Sequence, residues 1–145
     1  MNIDSIQNGY VLDHIQSGNS IDVVQLLGLD KLDCSVAIIR NAKSTKMGRK
    51  DIIKIDELID LNLDVLGYVD PNITVSVIKD GVQVEKKHPP MPARLVNVLR
   101  CKNPRCITTV VASLQSEFIL TDPEKRTYCC AYCDAEYHRS GSSRI

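Results

Sequence analysis

The stretch ITVSVIKDGVQVEK, Ile73 to Lys86, reads as a β-hairpin. Ile73 to Lys79 alternates apolar and polar residues. Asp80-Gly81 is a two-residue turn signal, and Val82 to Lys86 returns along the partner strand. Working back from this hairpin, Leu61 to Val69 reads as a short helix with Asp60 as its cap. Lys50 to Asp56 (KDIIKID) reads as a strand, and so does Ser35 to Arg40 (SVAIIR). Asn41 to Arg49 reads as a polar loop between them. Ser20 is placed to cap a helix carrying Ile21, Val24 and Leu27 on one face, with Val23 and Leu26 beside it. Gly28 or Asp30 ends that helix. Tyr10 to Ile15 supplies the first strand. The resulting order, β-α-β-β-α-β-β, is a ferredoxin-like arrangement with a fifth strand added by the hairpin. It predicts an α+β domain: a five-stranded antiparallel sheet with two helices on one face and the other face open.

Working forward, His88-Pro89-Pro90-Met91-Pro92 cannot continue a helix or a central strand and makes a stiff connector. Charge changes sign across it. Residues 1–84 carry 12 acidic and 8 basic side chains, whereas residues 85–145 carry 6 and 10. Five of the six cysteines follow residue 100. This predicts two domains, residues 1–91 and 92–145, with different partners. In the second, Leu95 to Leu99 leads into the first cysteine pair. Ile107 to Leu120 is rich in Val, Thr and Ile and is expected to give two strands, and Lys125 to Cys129 leads into the second pair. A β unit of this size has too little core to be stable without a staple.

Cys101 and Cys106 form a C-x4-C pair, and Cys130 and Cys133 a C-x2-C pair, with 23 residues between the pairs. Two such turns meeting give an all-sulfur tetrahedral shell suited to Zn²⁺, with bonds of about 2.3 Å. Four thiolates leave no position for water, so the metal is expected to be structural. A rubredoxin-type iron site shares this shell, and a disulfide pair is the plainer alternative. Cys129 competes with Cys130, but the shorter 130/133 spacing makes the usual knuckle. Cys34 reads as core. His138 is available as a ligand, although four cysteines already close the shell.

The composition, 43% hydrophobic and 25% charged, is that of a globular chain of 145 residues. No run approaches the ~20 apolar residues of a membrane span. MNIDSIQNGY has neither the basic nor the apolar segment of a signal peptide. A cytoplasmic location with reduced thiols is therefore expected. There is no P-loop and no G-x-G-x-x-G. One Phe and no Trp leave little for stacking on single-stranded nucleic acid. In the first unit, Lys50 and Lys54 share one side of their strand, and Lys86 lies on the last strand. On spacing alone a solvated lysine face is favoured over a phosphate contact. His14 by itself reads as a turn histidine.

Several segments together are similar to the regulatory chain of aspartate carbamoyltransferase. They are VLDHI at 11–15, MGRKDIIKI at 47–55, the Pro-rich linker ending at Pro92, NVLRCKNPRCI at 97–107 and CAYC at 130–133. Their order and spacing cover nearly the whole chain. The resemblance implies a non-catalytic allosteric subunit in pyrimidine biosynthesis, with an allosteric domain that forms homodimers and a zinc domain that docks on the catalytic chain. CTP, ATP and UTP are the implied effectors. It implies one structural zinc on Cys101, Cys106, Cys130 and Cys133. It also implies nucleotide contacts from Ile6, Val11, Asp13, His14, Lys54, Ser76 and Lys86. Ser76 replaces an asparagine, and Gly81 stands where some members have a tyrosine. The rival reading is a nucleic-acid-binding zinc ribbon, suggested by the basic second half; neither nucleic acid nor membrane is expected as a partner.

Overall fold

The computed structural model describes residues 6–111 and 113–138. The leader reading of the first residues falls in part on 1–5, outside the described residues. The chain divides into two compact units, one running to Pro90 and the other starting at Met91.

The first unit contains β1 (Gly9–Gln16), α1 (Ser20–Leu27), β2 (Val36–Ser44), β3 (Gly48–Ile55), α2 (Leu63–Val69), β4 (Thr74–Lys79) and β5 (Val82–Lys87). The strands form one sheet in the order β2-β3-β1-β4-β5, and every neighbouring pair is antiparallel. This is the expected ferredoxin-like order with the hairpin strand added at the β4 edge. Alternation decides the faces. Leu12, Ile53, Ile55, Val75 and Val77 are buried on one side with Val23 of α1 and Val65, Leu66 and Val69 of α2. The β4–β5 turn places Asp80 at φ 52° and Gly81 at φ 76°. Two consecutive positive φ angles give the primed turn that Asp-Gly favours.

Local details differ from the sequence reading. Asn19, not Ser20, sits at the N-cap of α1; Ser20 is the first helical residue and spends its hydroxyl on Asp51 instead (2.6 Å). Asn62, not Asp60, caps α2, accepting from the Asp64 N–H at 3.0 Å. The segment Asn41 to Arg49 is largely strand, because a bulge at Asn41 (φ 59°) restores pairing of Ala42 with Lys50 and Ser44 with Gly48. In α1 the inward residue is Val23, while Ile21 is exposed.

The second unit is an antiparallel sheet of β6 (Arg94–Val96), β7 (Glu117–Asp122), β8 (Thr127–Cys130) and β9 (Glu136–His138), paired in chain order. Leu95, Phe118 and Tyr128 are fully buried. The Tyr128 hydroxyl donates to the Pro92 carbonyl at 2.7 Å. Ile107 to Leu120 gives one strand, not two. Ile107–Val110 forms a single helical turn, α3. The Thr109 hydroxyl folds it back on the first cysteine turn, reaching the Asn103 carbonyl at 2.8 Å and the Cys101 carbonyl at 3.2 Å. Arg100 donates to the Thr108 carbonyl at 2.9 Å. These local bonds override the β-propensity of the Val and Thr residues.

Candidate functional site

The second unit brings four sulfurs together. Cys101 and Cys106 bracket the turn after β6, Cys130 ends β8, and Cys133 lies in the turn before β9. Their Sγ atoms all lie within 4.8 Å of one another. Cys101 Sγ is 3.5 Å from Cys133 Sγ, and Cys106 Sγ is 3.7 Å from Cys130 Sγ. A regular tetrahedron with metal–sulfur bonds of about 2.3 Å has edges of about 3.8 Å. A disulfide would need about 2.05 Å, and all six cysteines are free. The donor set therefore fits one tetrahedral metal ion, consistent with structural zinc, and leaves no coordination position for a substrate.

Electrostatics favours the same conclusion. The Thr108 hydroxyl, 3.1 Å from Cys106 Sγ, leads the hydrogen bonds that bring the Cys106 thiol down to about 6. Burial pushes Cys101 up to about 12 and raises Cys130 as well. Four thiolates in this space repel one another unless a cation lies between them, so metal binding and thiol deprotonation go together. Cys129 lies outside the cluster, with its Sγ 3.6 Å from Thr121 Oγ1. His138 is also apart, its Nδ1 2.9 Å from Thr127 Oγ1. Cys34 belongs to the first unit.

The open face of the first sheet carries the other candidates. Lys54 on β3 pairs with Val11 on β1, Val11 pairs with Ser76 on β4, and Ser76 pairs with Lys86 on β5. Directly paired residues share a face, so these four form one row across four strands, opposite the helices. One step along β1, the register shifts between Leu12 and Ile15. The bulge leaves Asp13 and His14 together against Ile52, with His14 at φ 58°. His14 Nδ1 is 3.1 Å from Thr74 Oγ1. Lys50 Nζ lies 2.9 Å from Asp13 Oδ1. Burial would raise the Asp13 carboxyl, but the Lys50 hydrogen bond and charge, with the His14 N–H, hold it below the ordinary carboxylate range. Ile6 precedes β1. Its neighbour Gln7 accepts from the Gly81 N–H at 2.9 Å, which stitches the incoming segment to the β4–β5 turn.

The sequence reading missed Asp51. It stands in phase with Ile53 and Ile55 and is fully buried. Its carboxylate accepts from the Ser20 hydroxyl (2.6 Å), the Gly18 N–H (3.0 Å) and the Asn41 N–H (3.0 Å). The signal was available: an acidic residue on the inward alternation of a strand needs donors.

A sheet covered by helices on one face, followed by a small unit with a closed four-sulfur site, defines a non-redundant pair of units, the second built around a structural metal centre. Comparison with known proteins gives the family. The family model for the aspartate carbamoyltransferase regulatory chain, allosteric domain, matches residues 1–90, and that for its metal binding domain matches residues 93–141. The aspartate carbamoyltransferase regulatory chain of Clostridium botulinum is 46% identical over 137 residues, 94% of both chains. That of Bifidobacterium longum is 44% identical over 136 residues, 94% of this chain and 98% of the relative. That of Clostridium tetani is 45% identical over 138 residues, 94% and 96%. The chain belongs to the aspartate carbamoyltransferase regulatory chain family: it is a regulatory and not a catalytic chain, with an allosteric and a metal-binding domain. The nucleic-acid reading is not favoured. Among the described residues no helix is long and apolar enough to cross a membrane.

Proposed function

We propose that this chain binds nucleoside triphosphates on the open face of its first sheet and passes the resulting free-energy bias to a catalytic chain held by its metal-binding unit. The observation that carries the reading is the row Lys54–Val11–Ser76–Lys86. Lys54 and Lys86 stand three strand spacings apart, about 14 Å. Two long lysine side chains reaching inward across that gap can hold a phosphate chain by charge-assisted bonds. Val11 and Ile6 offer apolar contact to the base and ribose, and Ser76 a hydroxyl. Asp13 and His14, set side by side by the bulge, are the polar groups next to the row. CTP, ATP and UTP are the effectors to test. An effector that contacts two quaternary states unequally shifts their balance, typically by about 1–3 kcal/mol.

One zinc per chain, held by Cys101, Cys106, Cys130 and Cys133, keeps the second unit folded for docking on the catalytic chain of aspartate carbamoyltransferase. Pairing of two allosteric domains is supported by the apolar surplus of α1. Exposed Ile21 and Ile38, with Val24, line a groove of about 290 Å³ between α1 and β2. The reading places the protein in the cytoplasm.

The test is aspartate saturation of the enzyme reassembled from catalytic chains and this chain, with CTP, ATP or UTP added. Effector-dependent shifts in half-saturation are expected. Lys54→Ala and Lys86→Ala should each weaken effector binding by roughly 10- to 100-fold, the scale of a lost hydrogen bond to a charged group. Saturation curves that no nucleotide moves would refute the proposal.

A further inference from the structure

The turn that follows Cys106 holds a polar group that the four ligands do not account for. Thr108 is the second residue of the helical turn α3 and is only 1% exposed. A hydroxyl buried this deeply needs a partner. Its Oγ1 lies 3.1 Å from Cys106 Sγ, and among the described residues the hydroxyl has no other partner. A sulfur that ligates a metal is a thiolate and carries no proton. The hydroxyl is therefore the donor of this pair. The backbone behind it is anchored from two sides. The Arg100 guanidinium donates to the Thr108 carbonyl at 2.9 Å. The Thr109 and Val110 N–H groups donate to the Cys106 carbonyl at 2.9 and 3.1 Å. The hydroxyl thus meets the sulfur from a fixed turn.

We infer that Thr108 is a positioning residue of the metal centre: its hydroxyl donates to the Cys106 thiolate, holds that sulfur at its corner of the tetrahedron and slows release of the metal. Two consequences follow. A sulfur that leaves the metal must also leave the hydroxyl, so the bond opposes the first step of ligand loss. The bond also draws electron density from the sulfur lone pair and lowers its energy. Outer partners of this kind are typically worth about 10- to 100-fold in metal affinity. The inference rests on the four cysteines holding zinc.

The experiment uses the full-length chain. Zinc content is measured first, and then the rate of zinc transfer to a chromophoric chelator in excess. Thr108→Val keeps the branched shape and removes the hydroxyl. It should release zinc about 10-fold faster than the parent, the lower end of the range for outer partners. In the cobalt(II)-substituted protein its sulfur-to-cobalt charge-transfer band should move to lower energy. Thr108→Ser restores the hydroxyl and should return both readouts to near the parental values. Thr127→Val is the control. Thr127 is also buried, but its Oγ1 lies 2.9 Å from His138 Nδ1 and not on a ligand sulfur, so rate and band should stay parental. An unmoved band in Thr108→Val would overturn the inference even if release were faster, because a loosened turn alone would do that. So would a serine variant that behaves like the valine one, or a band moved equally by Thr127→Val. A parent chain without stoichiometric metal would remove the zinc reading and the role of Thr108 together, whereas a loaded parent with an unmoved valine variant would remove only the latter.

Discussion

Asp51→Asn is the most informative single change in the first unit. The parent carboxylate is fully buried and accepts three hydrogen bonds, from the Gly18 N–H, the Asn41 N–H and the Ser20 hydroxyl. These donors lie on the loop before α1, on the β2 bulge and at the start of α1, so one side chain joins three segments to β3. Hydrogen bonds to a charged acceptor are worth about 1.5–3 kcal/mol each. An asparagine keeps the shape but has only one accepting oxygen and brings an NH₂ against donors. Losing the charge and one or two of the three bonds should cost about 3–5 kcal/mol, allowing for non-additivity within one network. Burial would raise this carboxyl, but the bonds from Ser20, Asn41 and Gly18 outweigh it, so its folded value lies below the ordinary one. The sign follows: a group depressed on folding stabilises fully above its unfolded value of about 3.9, and that contribution fades as pH falls through the lower folded value. The assay is urea unfolding followed by far-UV circular dichroism, with zinc bound at neutral pH and then stepwise below pH 4, where parent and variant have both lost the metal and the transition reports the first unit. The variant should unfold at lower urea at pH 7 and lose less stability than the parent on acidification. A loss under about 1 kcal/mol at pH 7, or the same acid sensitivity in both proteins, would refute the reasoning.

Gly9→Ala should also destabilise the first unit, by about 2–4 kcal/mol, because a Cβ there would lie 1.9 Å from the Ile55 carbonyl oxygen and force β1 off β3; a thermal melt checks it, and an unchanged midpoint would contradict the geometry. Cys106→Ser should abolish stoichiometric zinc and unfold the second unit while the first stays folded, read by metal analysis and by limited proteolysis between the units. Ile38→Asp, on the exposed flank of the α1–β2 groove, tests the proposed pairing: by sedimentation the parent is expected as a dimer and the variant as a monomer, and a monomeric parent or an unshifted variant would refute pairing through this groove.

Much of this was legible in the residues, for identifiable reasons. Alternation in ITVSVIK and the Asp80-Gly81 signal are local, and the hairpin appears where they put it. The cysteine pairs are legible because a tetrahedral sulfur site constrains spacing more tightly than packing does. The cross-strand row was only half legible. Spacing showed that Lys50 and Lys54 share a side, but register was needed to align Lys54 with Val11, Ser76 and Lys86. Bulges hid the rest: those after Leu12 and at Asn41 each shift the pairing by a residue, and no propensity marks them. The Ile107 to Leu120 stretch failed for a different reason. Its β-branched residues favour strands, yet Thr109 and Arg100 bond the chain back onto the cysteine turn.

The two units are held together by different physics, and the difference can be put to use. The first has a hydrophobic layer between sheet and helices, reinforced by the buried Asp51 staple and the Asp13–Lys50 pair; both carboxyls sit below their ordinary values, so its weak point is strong acid. Among the described residues the second has little more apolar core than Leu95, Leu99, Phe118 and Tyr128, apart from the cysteines, so the metal, whose ligands have to be deprotonated, is its main further source of stability. A chelator at neutral pH should therefore strip the second unit and spare the first. Mild acid should do the same before either Asp13 or Asp51 is protonated, because protons compete for thiolates far above the carboxylate range. An allosteric unit that survives while the metal-binding unit is lost would separate the two without a mutation. If the two units instead unfold together under chelator, the metal supports both, and the division of labour drawn from the sheet and the cysteines is wrong.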